Sequence, residues 1–543
     1  MIRPLLLLLI VLTAKFSTAQ TAVPNYYWLK FSDKQGTQYT TDRPEEFLSA
    51  RALARRQKEH IAIDELDLPV SQVYLDSLKI YGAQIFHASK WLNGATIRAT
   101  PEIYQAILAH CHFIVDSQLT KPGLQTKSVL ENKFRKEQLL ADSMSYGDSF
   151  GQLSLFNGQY LHNQNYLGDG VLIAVLDAGF YHADRLPAFS YLWADHRILG
   201  TRDFVDPPDN IFEQHYHGAW VLSTMAGEVD GQLIGTAPKA SYYLLRSEDA
   251  NSEYIIEEDN WVAAAEYADS LGCDIINSSL GYSLFDDSTT NHSYADMNGH
   301  TTRVTQAANI AVEKGMLVFA SAGNEARDPW HYIIAPSDGD FVVGVAAVNK
   351  DSIWAPFSSL GPASDGDVKP DLAAVGWNAI VQKSDGSIGS ANGTSFSSPI
   401  LSGMAACLWQ ANPRATNLEI KAVLEQTASQ YNSPDSLLGF GIPNFKLADQ
   451  LLAKKYPAEA SNDWIATPNP FHKFIYLVQT NKQLAENLSV SLYSLQGKLL
   501  FKQEFHHTNH IFLSNLTNLP SGLILAKIES DDQTSVIKIV HVE

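Results

Sequence analysis

Residues 171–176 read Val-Leu-Ile-Ala-Val-Leu, an unbroken apolar run that stops at Asp177-Ala178-Gly179. A strand with one face in water alternates apolar and polar residues, so a run without alternation is covered on both faces. Further apolar runs follow at 242–245, from Ile275-Ile276 onward, at 316–320 and at 341–348. Helical stretches lie between them, the clearest over 253–271, where Tyr254, Trp261, Ala265 and Ala268 recur at helical spacing. Strands alternating with helices predict an α/β domain over 150–456: three layers around a mostly parallel sheet, with chemistry at the carboxyl ends of the strands.

At 543 residues the chain is too long for one core, and its flanks read differently. Residues 1–19 combine Arg3, an apolar run over 5–13 and the small residues Ser17-Thr18-Ala19, the order of a signal peptide; the plain alternative is a buried terminal element. The run is too short to span a bilayer, and no other segment is apolar enough, so no transmembrane anchor is expected in the mature chain. Residues 20–118 mix a strand at Tyr27-Trp28-Leu29-Lys30-Phe31 with helices over 45–60 and 103–110, an α+β segment, and 119–149 is a polar linker. In 461–543, Leu488, Val490 and Leu492 alternate with polar residues, Gln496-Gly497-Lys498 makes a turn, and Leu499-Leu500-Phe501 resumes, as in a small β-sandwich.

The formal charge of −20, from 39 basic and 59 acidic residues without a basic stripe, argues against nucleic acid or an anionic membrane as partner. Cys111, Cys273 and Cys407 stand too far apart for a disulfide framework or a metal motif and read as small buried apolar residues.

Four segments carry candidate chemistry, each with an ordinary rival. Asp177, ending an apolar strand, can orient a histidine or merely cap a turn. His217-Gly218, opening a helix two residues after His215, offers a general base or a structural histidine. Ser321-Ala322-Gly323-Asn324, after the run at 316–320, can aim a side-chain amide at an oxyanion or form a turn. Gly393-Thr394-Ser395-Phe396-Ser397-Ser398-Pro399 puts a serine at the start of an apolar helix, where backbone N–H groups favour negative charge, or simply caps that helix; Pro399 fits a first helical turn.

Together, in the order Asp, His, Asn, Ser, these segments resemble the motifs of the subtilase family over roughly 168–444. Gly235-Thr236-Ala237-Pro238 and Ile276-Asn277-Ser278-Ser279-Leu280-Gly281 are similar to further family segments. The resemblance implies a subtilisin-like fold and a serine endopeptidase, with Ser395 as nucleophile, His217 as general base and acid, Asp177 as its orienting carboxylate and Asn324 as oxyanion donor. It also implies that Ser278, Ser279, Leu280 and Gly281, with Ser321, Ala322 and Gly323, bind an extended protein or peptide substrate, the first four as a sheet edge. Two positions depart from the family: Ala178 replaces the usual hydroxyl residue, and Ala219-Trp220 replaces the common Thr-His.

By the same kind of likeness, 20–118 is similar to bacterial subtilase pro-regions, which assist folding and cover the site until cleaved. Residues 461–543 resemble a type IX secretion sorting domain, with Pro468-Asn469-Pro470-Phe471 and Ser521-Gly522, though Leu523-Ile524 stands where a tyrosine is frequent. The resemblance implies the secretion machinery as a partner and a secreted or cell-surface location. It implies no cofactor for catalysis; calcium is common in the family, but no loop here names its ligands. A catalytically decayed surface binding protein would have lost triad members, and a sedolisin-type acid peptidase would carry Glu for His217 and Asp for Asn324; both rivals fit these residues less well. The expected maturation has a direct readout. Intact-mass measurement of exported, active protein should find neither 1–19 nor a covalently attached 20–118, and an active species retaining 20–118 would overturn the pro-region assignment.

Overall fold

The computed structural model describes residues 23–123, 146–207, 210–456, 464–467, 469–471, 475–479, 485–508, 510–514, 516–530 and 533–542. The expected signal peptide, 1–19, and most of the linker, 119–149, lie outside the described residues.

The first unit is a four-stranded antiparallel sheet in the order β2-β3-β1-β4: β1 Asn25–Phe31, β2 Gln84–Ser89, β3 Gly94–Ala99 and β4 Ile114–Lys121. The helix expected over 45–60 is split. A short 3-10 turn at Pro44–Glu46 precedes α1, Ala50–Lys58, which starts where the Ser49 hydroxyl accepts the Ala52 N–H at 3.1 Å. Helices α2, Gln72–Ile80, and α3, Pro101–His110, complete the unit's own core, which holds Leu29, Phe31, Leu78, Ile97 and Ile107. β4 runs to Lys121, three residues into the stretch read as linker.

The central unit carries seven strands: β5 Leu172–Asp177, β6 Ile198–Asp203, β7 Ser241–Arg246, β8 Ile275–Ser278, β9 Leu317–Ser321, β10 Val343–Val348 and β11 Leu372–Val375. They order as β11-β10-β9-β8-β5-β7-β6, and every neighbouring pair is parallel. The apolar runs explain the layering. Ile173 and Val175 enter a core with α4, His217–Ala226, and α7, Thr394–Ala411, whereas Leu172, Ala174 and Leu176 enter a core with α5, Ile256–Leu271, and α6, Arg303–Glu313. Alternate residues of one strand thus fill two cores, as an unalternating sequence requires. The α5 helix starts at Ile256 rather than 253, with Glu257, Glu258 and Asp259 in its first turn, where carboxylates meet the positive end of the helix dipole.

In the last unit, β12 Trp464–Thr467, β13 Ile475–Gln479 and β16 His510–Leu513 form one sheet. β14 Ala485–Ser494, β15 Leu499–Thr508, β17 Gly522–Ser530 and β18 Thr534–His541 form the other, in the order β15-β14-β17-β18. The expected hairpin at 496–498 joins β14 to β15, and Leu488, Val490 and Leu492 share the core between the sheets with Ile511 and Ile539. Tyr476 meets the central unit: its hydroxyl shares a 3.2 Å hydrogen bond with the Ser241 hydroxyl.

Charge dominates where the first unit docks on α5. The buried carboxylate of Asp269 accepts from Arg55, from Arg56 at 2.8 Å and from Lys90 at 2.9 Å, and Arg56 also meets Asp67 at 2.8 Å. Burial alone would raise the pKa of Asp269, but Lys90, Arg56 and Arg55 hold it well below the usual carboxylate range. Asp269→Ala takes this carboxylate from buried Arg55 and Lys90 and leaves Arg56 with Asp67, a loss of about 3–5 kcal/mol for a broken buried pair. Hydrogen exchange on the full-length chain carrying Ser395→Ala, which removes the expected nucleophile, should show faster exchange in α1 and β2 when Asp269→Ala is added. Unchanged exchange would mean that these charges do not hold the first unit in place.

Candidate active site

The chain leaves β5 toward β7 and β6, and leaves β8 toward β9, β10 and β11, on the opposite side. A crevice opens at such a reversal, outside the carboxyl ends of the strands, and the motif residues gather there. Asp177 is the last residue of β5; its Oδ1 accepts the Ala178 N–H at 2.7 Å and bonds His217 Nδ1 at 2.8 Å. The carboxylate only accepts, so Nδ1 carries the proton and Nε2 is left as the basic nitrogen of the neutral ring. His217 opens α4, and Gly218 explains how the helix reaches β5. A Cβ there would lie 2.5 Å from the Gly179 carbonyl oxygen, which instead accepts the Gly218 N–H at 2.9 Å. It is His217, not His215, that bonds Asp177; His215 Nδ1 accepts the backbone N–H of His217 at 3.3 Å.

Ser395 is the second residue of α7, and the ring of Phe396 beside it lies 5.9 Å from the His217 imidazole. The Ser395 hydroxyl donates to the Ser279 carbonyl at 3.3 Å. Pro399 falls in the second turn of the helix, not the first, so it has no N–H for the carbonyl four residues back, which is that of Ser395. The hydroxyl of Ser279 fills this gap, donating to the Ser395 carbonyl at 2.8 Å. The segment after β8 and the start of α7 therefore hold each other.

Asn324 follows β9. Its Oδ1 accepts the Thr394 N–H at 2.9 Å and the Thr394 hydroxyl at 3.2 Å. A backbone N–H can only donate, so the oxygen end faces Thr394 and the NH₂ end is free to point elsewhere. Thr394 Oγ1 also accepts the Gly323 N–H at 3.2 Å, tying the turn to the residue before Ser395. The turn needs Gly323 at φ +110°, because a Cβ there would sit 2.2 Å from a carboxylate oxygen of Glu325 and 2.6 Å from Ser359 Oγ. Ser359 donates to that carboxylate at 2.7 Å; burial outweighs the lowering by Ser359 and the Asn324 backbone N–H, and the Glu325 pKa is pushed up to about 7.

The expected substrate segments divide. β8 is no edge: it pairs with β5 and β9, and buried Ser278 accepts the Trp261 indole N–H at 2.9 Å. Residues 279–281 continue past the sheet, and Ser321, Ala322 and Gly323 lead from β9 to Asn324. The supporting roles of Thr394, Ser359 and Glu325 were missed. Thr394 stood within the Gly-Thr-Ser motif, but Ser359 carries no local signal. Of the two departures, Ala178 gives its N–H to Asp177 and its carbonyl accepts from Arg246 Nε at 3.3 Å, and Trp220 lies under the Lys383 ammonium at 3.7 Å with its indole N–H on Ser384 at 3.3 Å. Among the described residues two carboxylate groups are close enough to share an ion, Glu248–Glu253–Glu257 and Asp340–Asp365–Asp367; Tyr282 donates to Glu248 at 3.2 Å in the first, and the second is exposed.

Residues 168–441 match the subtilase family, 26–136 match the peptidase S8 propeptide domain of Bacteroidota, and 467–543 match the secretion system C-terminal sorting domain. A thermostable alkaline protease of Halalkalibacterium halodurans is 28% identical over 345 residues, 62% of this chain and 83% of that one. Subtilisin E of Bacillus subtilis is 29% identical over 314 residues, 57% of this chain and 72% of that one. Among solved structures, the prenylagaramide maturation protease PagA aligns with a TM-score of 0.43 at 23% identity, covering 54% of this chain and 98% of that one. MycP1 of Mycobacterium smegmatis aligns with 0.44 at 20%, covering 58% and 89%. With a propeptide domain before it and a sorting domain after it, the chain belongs to the subtilase family of serine endopeptidases.

Proposed function

We propose that this endopeptidase is exported and cleaves peptide bonds through an acyl-enzyme, with Asp177, His217 and Ser395 as its triad and Asn324 as the side-chain oxyanion donor. The observation that carries the reading is the 2.8 Å bond from His217 Nδ1 to Asp177, on a helix whose neighbouring Phe396 adjoins Ser395. His217 Nε2 takes the Ser395 proton as Oγ attacks the scissile carbonyl, and Asp177 stabilises the imidazolium. The oxyanion meets the Asn324 NH₂ and backbone N–H groups at the start of α7. Collapse breaks the C–N bond, and the amine leaves with the proton from His217. Water, deprotonated by the same nitrogen, then attacks the ester and regenerates Ser395. This chemistry uses only side chains and backbone, so no cofactor is required. The expected signal peptide and the sorting domain support export through the type IX machinery to the cell surface or beyond.

A fluorophosphonate probe on the processed protein tests the reading directly: it should label Ser395, and a folded protein that stays unlabelled would indicate a decayed binding protein. His217→Ala should lose activity about as completely as Ser395→Ala, because members of a triad act as a unit. His215→Ala should keep most of it; peptide-hydrolysis kinetics separate the two, and the reverse outcome would move the base to His215. Asn324→Leu should lower kcat by about 10²–10³-fold with little change in KM, a magnitude carried over from the equivalent asparagine of a subtilisin. An unchanged kcat would remove Asn324 from the oxyanion site.

A further inference from the structure

β8 and β9 pair as far as Ser278 beside Ala320, and then separate. The chain after β8, 279–281, starts beside Ser395, since the Ser279 carbonyl accepts the Ser395 hydroxyl and the Ser279 hydroxyl donates to the Ser395 carbonyl. From Ser321 at the end of β9, the chain runs through 322–323 to Asn324. A carbonyl carbon attacked by Ser395, with its oxygen toward the Asn324 amide, lies across the mouth of these two segments. The Cα of the residue contributing that carbonyl is one bond away, so its side chain enters the slot between them.

Ile334 closes that slot. Its N–H donates to the Ala322 carbonyl at 3.2 Å on one wall, while Ala335 exchanges hydrogen bonds with Tyr282 on the other, N–H to carbonyl at 3.2 Å and carbonyl to N–H at 2.8 Å. The Ile334 side chain takes up the space that both glycines leave open. A Cβ built on Gly281 would lie 2.3 Å from Ile334 Cδ1, and one built on Gly323 would lie 3.2 Å from the same atom. Beyond Gly323 the slot is bounded by Glu325 and Ser359, already joined to each other at 2.7 Å. Ile334 is 6% exposed, so little of it yields to solvent.

We propose that Ile334 is the specificity-determining residue of this endopeptidase: by filling the slot between Gly281 and Gly323 it restricts the residue on the amino side of the scissile bond to a small, uncharged side chain such as Ala, Ser or Gly. This rests on the placement of Ser395 and Asn324 proposed above. A long apolar or aromatic side chain meets the Ile334 methyl group before it is buried, and loses the favourable contact that would have driven its binding.

The test uses the full-length chain after it has processed itself, with the active fraction counted by fluorophosphonate titration, on peptide substrates that differ only in that residue. The wild type should turn over Ala well ahead of Leu and Phe in kcat/KM. Ile334→Gly and the milder Ile334→Ala should each raise the Leu/Ala and Phe/Ala ratios, by about tenfold or more for the larger truncation, the scale of apolar pocket discrimination. The ratio is internal to each variant, so partial loss of folded protein does not disturb it, and the wild-type profile stands without any variant. Wild-type enzyme that cleaves after Phe or Leu as readily as after Ala would overturn the proposal, as would a labelled variant with unchanged ratios. Failure of the wild type to label would instead bring down the catalytic reading on which the proposal depends.

Discussion

Burial of the central sheet on both faces is the constraint from which the rest follows. Ile173 and Val175 face one helical layer, and Leu172, Ala174 and Leu176 face the other, so a polar side chain inside the sheet has to find its partner there. Asn277 does: its Oδ1 accepts the Ser398 hydroxyl at 3.0 Å, and its amide donates to Ser279 at 3.2 Å. Groups meant for substrate stand where strands stop, at Asp177 and in the segments after β8 and β9. The reversal of strand order between β5 and β8 spreads those ends apart and leaves room for a peptide.

The nucleophile helix is held by its irregularities. An α-helix leaves its first N–H groups without internal partners, and in α7 one of them, that of Thr394, fixes the oxygen of the Asn324 amide. A proline in the second turn leaves a carbonyl without its usual donor, and the Ser279 hydroxyl takes that place at Ser395. Each apparent defect thereby becomes a link between α7 and one of the two segments flanking it. A helix with perfect internal bonding would have neither link, and Ser395 would be positioned by packing alone.

Much of this was legible because it is local. The run at 171–176 specifies a doubly covered strand, the Leu488–Val490–Leu492 alternation with its turn specifies a hairpin, and the four motifs carry their chemistry in adjacent residues. What was missed depends on register between distant segments. That β8 lies inside the sheet, and Ser278 therefore under Trp261, follows from strand order and not from the Ser-Ser-Leu-Gly sequence. Pro399 has the same residue identity in a first or a second turn, and only the helix start decides between them. Ile334 reads as one more apolar residue until 333–335 are seen lying between the two glycine segments. The charges around Asp269 are equally invisible: Arg56 and Asp269 stand 213 positions apart.

That cluster of charges says something about how the propeptide domain is attached. The domain keeps an apolar core of its own; among the described residues it buries Trp91 in the hydrophobic cluster of the central unit and packs Leu66 and Leu92 against it. Around it, the contact with α5 is largely polar: Asp269 with Arg55, Arg56 and Lys90, Glu266 with the Ser89 hydroxyl at 2.6 Å, and Asp259 with the Thr96 hydroxyl at 3.0 Å. Buried ion pairs contribute little net stability over apolar groups of the same shape, since desolvation offsets most of their attraction. They are nonetheless demanding in geometry, because a misplaced partner leaves a charge unbalanced away from water. A propeptide joined this way is strict about where it docks without being held as tightly as an apolar interface of equal size would hold it. Once it separates, both faces carry charges that water solvates readily.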